Sequence, residues 1–160
     1  MSASILFYKH SQAGTPARVL LGGMAALFSL VPMLLPGMAS WLSWGFGLLG
    51  VVFWVLLLLF HSLRVWVNQK EVELSFGVGL VRKTFPLSEI TSAKRVQTSG
   101  LDGWGIHLTR RGWLYNASGF DAIELGLGAH RRVLIGTDDP EGLLEALKKA
   151  KPSICIAAEN

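Results

Sequence analysis

The sequence is poor in charged residues, and the few it has are unevenly spread. Only 16% of its 160 residues are Asp, Glu, Lys or Arg, and none of these occurs between Arg18 and Arg64. Soluble domains contain about 25% charged residues, so the composition argues against a fully water-soluble fold. The single cysteine, Cys155, cannot close an internal disulfide, which excludes a disulfide-stapled secreted scaffold.

The charge-free gap is 45 residues long and holds two apolar runs, at residues 19–38 and 41–63. Each run is long enough for a helix that crosses a bilayer, which takes about 20 residues. Pro36 and Gly37 favour a break between them. The sequence therefore predicts a transmembrane helical hairpin. The alternative is a cleaved signal peptide that ends near Ala39, but its apolar stretch would exceed the usual length of about 7 to 15 residues.

The charges that flank the hairpin predict its orientation. Lys9 and Arg18 precede the first run, Arg64 and Lys70 follow the second, and the connecting loop carries no charge. Positive residues favour the cytoplasmic side, so we expect a multi-pass protein of the inner (plasma) membrane with both termini in the cytoplasm. Residues 1–18 then form a cytoplasmic N-terminal segment.

Three tryptophans are predicted to anchor the hairpin at the two membrane interfaces. Indole rings prefer the headgroup region, because one edge is apolar and the other donates a hydrogen bond. Trp41 and Trp44 would lie at the outer interface and Trp66 at the inner one.

Residues 64–160 have an ordinary soluble composition, with 13 basic and 11 acidic side chains. Val72, Leu74 and Phe76 alternate with polar residues, which is typical of a strand with one buried face. Similar alternation continues to about residue 135, and it predicts about seven short antiparallel strands.

The pattern changes period after the last strand. Asp139 and Pro140 have the chemistry of a helix start, leucines follow at helical spacing, and Pro152 ends the segment. We expect this helix to cover the sheet, which gives a domain at residues 64–151 and a tail at residues 152–160.

The order of several short motifs carries a family resemblance. The motifs are the Trp-Gly-Ile at 104–106, the Gly-Trp at 112–113, the Tyr-Asn at 115–116, the Ser-Gly at 118–119 and the Leu-Ile-Gly-Thr-Asp-Asp-Pro at 134–140. Behind a two-span hairpin, this succession resembles bacterial membrane proteins with a pleckstrin-homology-like domain. The resemblance covers residues 20 to 150 and implies a fold: a strongly bent antiparallel β-sandwich or open barrel closed by a C-terminal helix. The predicted fold class is thus an α+β membrane protein.

Motifs that would indicate catalysis are missing. The four histidines are far apart, and none has another ligand at a metal-binding spacing. The chain has no nucleophile elbow and no phosphate-binding glycine loop. We therefore expect no enzymatic activity, no catalytic residue, no metal site and no cofactor.

The basic residues come in adjacent pairs, of which two are candidates for contact with a lipid or a partner: Arg82-Lys83 and Arg110-Arg111. The leading hypothesis is that the domain binds a protein partner, or a second copy of the chain, at the membrane surface. The alternative is that it binds or senses anionic lipid headgroups. The nearly balanced charge gives no support for binding of nucleic acid. Solute transport is a weaker possibility, because two spans per chain would require an oligomer.

Overall fold

The computed structural model describes residues 5–99, 103–128 and 131–157. Three helices and ten strands are present in these ranges. In chain order they are β1 (Leu6–Ala13), α1 (Thr15–Leu34), α2 (Ser40–Phe60), β2 (Ser62–Asn68), β3 (Glu71–Phe76), β4 (Val81–Pro86), β5 (Ile90–Gln97), β6 (Gly105–Thr109), β7 (Gly112–Asn116), β8 (Asp121–Leu127), β9 (Arg131–Gly136), α3 (Pro140–Ala150) and β10 (Cys155–Ala157).

Helices α1 and α2 form the expected hairpin of two apolar helices. Their mean hydropathies of 1.8 and 2.3 and their lengths of 20 and 21 residues make them long and apolar enough to cross a membrane. The two helices meet where Gly50 lies against Ser29, whose Oγ would be 2.9 Å from a Cβ on the glycine. Ala25 and Gly50 are the buried positions, so most of the remaining apolar surface faces outward.

The second helix is shorter than the predicted run at residues 41–63. It ends at Phe60, and the structure assigns Ser62 and Leu63 to β2. The Leu63 side chain is fully buried in the domain core, which is why the apolar run continues past the end of the helix. Hydropathy alone does not separate a membrane-spanning residue from a core residue that follows it directly.

The first sheet has the strand order β1-β2-β3-β4 and is antiparallel throughout. Strand β1 precedes the hairpin and pairs with β2, which follows it, from Leu6 opposite Asn68 to Ala13 opposite Ser62. The Gly14 amide donates to the His61 carbonyl at 2.9 Å, which ties the start of α1 to the end of α2. The sequence interpretation of residues 1–18 as a separate segment is therefore incomplete, because the hairpin is inserted between two neighbouring strands of the domain.

The second sheet has the strand order β10-β5-β8-β9-β7-β6. Two of its pairs, β7 with β9 and β10 with β5, are parallel, so the expectation of an antiparallel sandwich is wrong for this sheet. Strand β9 lies between β8 and β7, with Val133 opposite both Leu125 and Trp113. Neither sheet closes into a barrel in the described ranges.

Helix α3 covers the core between the two sheets, as the sequence predicts. The Asp139 side chain caps it by accepting a hydrogen bond from the Gly142 amide at 3.0 Å. Leu143 and Leu147 are fully buried in the main core cluster. At the other end, the Lys151 ammonium donates to the carbonyls of Leu87 (2.9 Å) and Ile90 (2.7 Å), which fixes the helix against β5.

Tyr8 connects β1 to the cap of α3, and this contact makes stability depend on pH. Its hydroxyl donates to Asp139 Oδ2 at 3.1 Å, and burial together with this carboxylate raises the pKa of the phenol above its usual range. An unfolded tyrosine titrates near about pH 10. We therefore expect the stabilising contribution of Tyr8 to be constant below about pH 10 and to fall as the pH rises further.

The variant Tyr8→Phe tests this prediction. It keeps the ring but loses the hydrogen bond, so the free energy of unfolding at pH 7 should fall by about 1 kcal/mol. The difference between the two proteins should then shrink from pH 9 to pH 11, as followed by urea unfolding in a neutral detergent. The pKa of Tyr115 is also raised by burial, but this residue is present in both proteins and does not affect the difference. A constant difference over this range would contradict the prediction.

Candidate functional site

The two predicted basic pairs belong to different sheets of the domain. We call the end that carries Gly14 and His61 the helix-proximal end, and the opposite end the distal end. Arg82-Lys83 lies at the start of β4, next to the turn at residues 77–80 that contacts the end of α2. Arg110-Arg111 lies in the turn between β6 and β7. Strand β6 starts at the helix-proximal end and rises about 3.3 Å per residue, so its five residues place this turn about 16 Å further from the helices.

Arg82 and Lys83 point to opposite faces of the first sheet, as neighbours on a strand must. Arg82 lies on the outer face, where its Nε donates to the Gly79 carbonyl at 2.7 Å and its Nη1 is 4.0 Å from Glu73. Lys83 is opposite Leu74, a fully buried residue, and so points into the space between the sheets. Its ammonium has no hydrogen-bond or ion-pair partner in the part of the chain that the structure describes.

The sheets separate between the edge strands β4 and β6 and leave an open space of about 720 Å³, which we call the intersheet cleft. Aromatic and aliphatic side chains form most of its wall, and Trp113 is 48% exposed there. The cleft is lined by Phe76, Val81, Arg82, Lys83, Phe85, Ile106, Gly112, Trp113, Tyr115, Leu127, Arg131, Arg132 and Val133. No acidic residue of the described ranges lines it.

A second apolar space, the helix groove, lies where α1 and α2 meet the second sheet. Its volume is about 360 Å³. It is lined by Pro16, Ala17, Leu20, Leu21, Phe60, Phe76, Trp104, Gly105, Ile106, Asn116 and Ala117. Phe76 and Ile106 line both this groove and the intersheet cleft, so the two spaces adjoin.

The distal pair Arg110-Arg111 takes part in a second basic surface, on the outer face of the second sheet. Arg111 borders a hollow of about 430 Å³ together with Lys94 of β5 and Arg132 of β9. A neighbouring hollow is lined by Arg110 and Arg111. We call Lys94, Arg110, Arg111 and Arg132 the outer basic patch.

The patch has more cations than carboxylates to pair with them. Glu124 is the acidic residue that lines the larger hollow, and it is 3.4 Å from Arg132. Arg95 also borders this hollow and is 3.1 Å from Asp121. Lys94 and Arg111 have no ion-pair partner within the described ranges. Sequence reasoning missed Lys94 and Arg132 as site residues, because their convergence requires the β5-β8-β9 strand order.

The three predicted tryptophan anchors occupy two different surroundings. Trp41 and Trp44 lie in the first turns of α2, at the end of the hairpin away from the domain, and are 73% and 80% exposed. Trp66 lies on the outer face of the first sheet, opposite Lys9 and Glu73. It is four residues beyond the start of β2, about 13 Å along the strand from the helix end.

A metal centre finds no support in the described ranges, where no three His, Cys, Asp or Glu residues could together hold an ion. His10 has one carboxylate neighbour, Asp138, at 2.5 Å. Cys155 is exposed and free.

The candidate surfaces are therefore a cationic, apolar cleft close to the helices and a basic patch on the outer face of the second sheet. Comparison with known proteins found no match to the chain among family models, curated proteins or solved structures.

Proposed function

We propose that the chain is a non-enzymatic, membrane-anchored protein whose cytoplasmic domain binds an acidic segment of a partner protein through the outer basic patch. In this proposal α1 and α2 span the inner membrane. The domain has a pleckstrin-homology-like character, supported by its two facing sheets and its C-terminal covering helix.

The orientation rests on the strand pairing and on the flanking charges. Because β1 and β2 are neighbours in one sheet, the start of α1 and the end of α2 must lie on the same side of the membrane as the domain. Arg18 lies in the first turn of α1 and Arg64 lies four residues beyond the end of α2, and positive residues favour the cytoplasmic side. Arg18 also donates through Nε to the His61 carbonyl at 3.0 Å, which holds the guanidinium next to the helix ends.

The observation that carries the proposal is the convergence of unpaired cations from separate strands. Lys94 is half-buried and Arg111 is exposed, and both line the same hollow. Like charges held close together repel each other, and a carboxylate-rich segment would relieve that repulsion. The planar guanidinium of Arg111 can also bind a carboxylate through two hydrogen bonds.

The position of the patch favours a protein over a lipid as the ligand. The turn with Arg110 and Arg111 lies about 16 Å beyond the start of β6. With β6 directed away from the bilayer, this distance is about twice the Debye length of 8 Å at physiological salt, and the surface potential of an anionic leaflet would be largely screened there. An acidic segment of a soluble protein is not confined to the membrane surface and can therefore reach the patch.

Site-specific photo-crosslinking in cells tests the proposal. Gln97 is exposed and borders both hollows of the patch, so a photoreactive residue there should capture the partner. The double variant Lys94→Glu/Arg111→Glu should lower the crosslinked fraction at least about ten-fold, because two attractive contacts become repulsive.

The double variant Lys148→Glu/Lys149→Glu is the matched control, since it makes the same charge change on the exposed end of α3. It should leave the crosslink unchanged. If both double variants lost the crosslink equally, the effect would depend only on net charge, and this result would contradict the proposed site. A crosslinked product of twice 17.4 kDa would identify the partner as a second copy of the chain.

A further inference from the structure

The intersheet cleft and the helix groove together have the form of a site for one membrane lipid. We propose that an anionic phospholipid binds with its phosphate beside Lys83 in the cleft and with an acyl chain along the helix groove. This inference rests on the membrane insertion proposed above, but it does not depend on the outer basic patch.

The first step of the argument is continuity with the bilayer. One wall of the helix groove belongs to α1, through Ala17, Leu20 and Leu21. The opposite wall is formed by Ile106 of β6 and by Trp104, which directly precedes that strand. The side chains of α1 that line the groove would face lipid tails in an inserted hairpin. An acyl chain can therefore occupy the groove without crossing water.

The second step places the entrance of the cleft at the membrane surface. The turn at residues 77–80 is fixed to the end of α2, because the Val78 amide donates to the Leu58 carbonyl at 3.2 Å and the Gly77 amide to the Ser62 carbonyl at 2.8 Å. Val78 and Leu80 on this turn are 52% and 78% exposed, which suits contact with a bilayer interface and not with water.

The third step is charge complementarity. Lys83 lies two residues beyond Val81, about 7 Å along β4 from the turn, which is within the reach of a phosphate at the interface. The three arginines that border the cleft have partners. Arg82 donates to the Gly79 carbonyl and is 4.0 Å from Glu73, Arg131 is 2.6 Å from Glu89, and Arg132 is 3.4 Å from Glu124. Lys83 is thus the cation whose charge is left for a ligand, and the lining has no carboxylate in the described ranges to repel a phosphate.

The composition of the lining favours an amphiphile over a ligand that is held by charge alone. Lys83 is an exposed residue on the inner face of its strand, and it borders a space whose lining also includes Phe85, Trp113 and Tyr115. Apolar walls around a single ammonium fit an amphiphile, because its tail is buried while its phosphate pairs with the cation.

Native mass spectrometry of the full-length protein tests this inference. The protein would be reconstituted in nanodiscs of phosphatidylcholine with 30% phosphatidylglycerol, and the fraction of protein that retains one phosphatidylglycerol would be measured. Lys83→Glu should lower this fraction at least about five-fold, because an attractive contact near the membrane surface becomes repulsive. Lys70→Glu, with the same charge change in the exposed turn between β2 and β3, should leave it unchanged.

A second pair of variants tests the acyl chain. Ala17→Phe fills the helix groove and should lower retention to a similar degree, whereas Ala26→Phe, on an exposed position of α1, should not. Both should insert into the membrane fraction as the parent protein does. If the parent protein itself were absent from the membrane fraction, this result would contradict the proposed membrane anchor as well as the lipid site.

Several results would overturn the inference. The first is that the protein retains phosphatidylcholine as well as phosphatidylglycerol. The second is that Lys70→Glu lowers phosphatidylglycerol retention as much as Lys83→Glu does. The third is that Lys83→Glu and Ala17→Phe both leave this retention unchanged. A dimer, or a co-purifying polypeptide, that disappears with Lys83→Glu would assign the cleft to a second copy or to a protein partner. Lys83→Ala, which adds no negative charge, separates lost attraction from misfolding, since it should lower retention while the protein keeps the protease resistance of the parent.

Discussion

Replacing Gly77 by alanine is expected to lower the free energy of unfolding by about 3 kcal/mol or more. Gly77 has a positive φ of 50°, and a Cβ there would lie 2.1 Å from the Leu58 carbonyl oxygen and 2.5 Å from that of Leu59. Both obstacles are backbone atoms at the end of α2, and they cannot retreat without breaking the hydrogen bonds that fix the turn. The substitution therefore forces the first sheet away from the hairpin.

The matched control is Gly128→Ala. Gly128 also has a positive φ, 61°, but a Cβ there would meet open space, so this variant measures the conformational cost alone, about 1 kcal/mol. Urea unfolding in a neutral detergent, followed by tryptophan fluorescence, compares the two. Equal losses would show that close contact with α2 is not what requires the glycine.

Deleting residues 1–13 is expected to prevent the domain from folding while the hairpin still inserts. The deletion removes β1, together with Phe7 and Tyr8, which pack against the main core. It also exposes the edge of β2 and removes the hydrogen bond between Tyr8 and Asp139. The loss is comparable to the whole stability of a small domain, about 5 kcal/mol or more.

Limited proteolysis of membranes checks this outcome. The truncated protein should be digested throughout the domain, whereas the parent resists. Removing residues 155–160 is the control, because it deletes β10, three exposed residues at the edge of the second sheet, and leaves the buried Ile154 in place. Protease resistance that survives the N-terminal deletion would show that β1 is dispensable. A soluble fragment that starts at Arg64 would have the same defect, since it lacks β1 and the start of β2.

The hairpin and the C-terminal helix could be predicted from the sequence because each depends on local signals. The length of each apolar run by itself indicates a membrane-spanning helix. Asp139 and Pro140 mark a helix start whatever tertiary contacts the helix makes. Strands β3 and β4 could also be predicted, because apolar and polar residues alternate along the sequence of β3 and the two strands are adjacent in the chain.

Strands β1 and β5 could not be recognised in the same way. Strand β1 is mostly polar, with Lys9, His10 and Ser11 at its centre, and its pairing partner lies beyond the whole hairpin. Strand β5 has a register shift between Ile90 and Ser92, so its buried residues Ile90 and Ala93 are three apart and break the alternation.

The candidate surfaces were predicted only in part for a related reason. Sequence spacing identified Arg82, Lys83, Arg110 and Arg111 as basic pairs, but it could not tell which member of a pair shares a surface with which other residue. That depends on strand order. Lys94 meets Arg111 only because β9 lies between β8 and β7, an arrangement set by long-range contacts.

The insertion of the hairpin between β1 and β2 sets the order of events during synthesis. Ala13 and its partner Ser62 are 49 positions apart, so at about 5 to 20 residues per second the first strand waits roughly 2.5 to 10 s for the second. During that time both helices leave the ribosome and can enter the bilayer. The domain thus completes its first sheet only after both helices have been synthesised, and until then β1 has no strand to pair with.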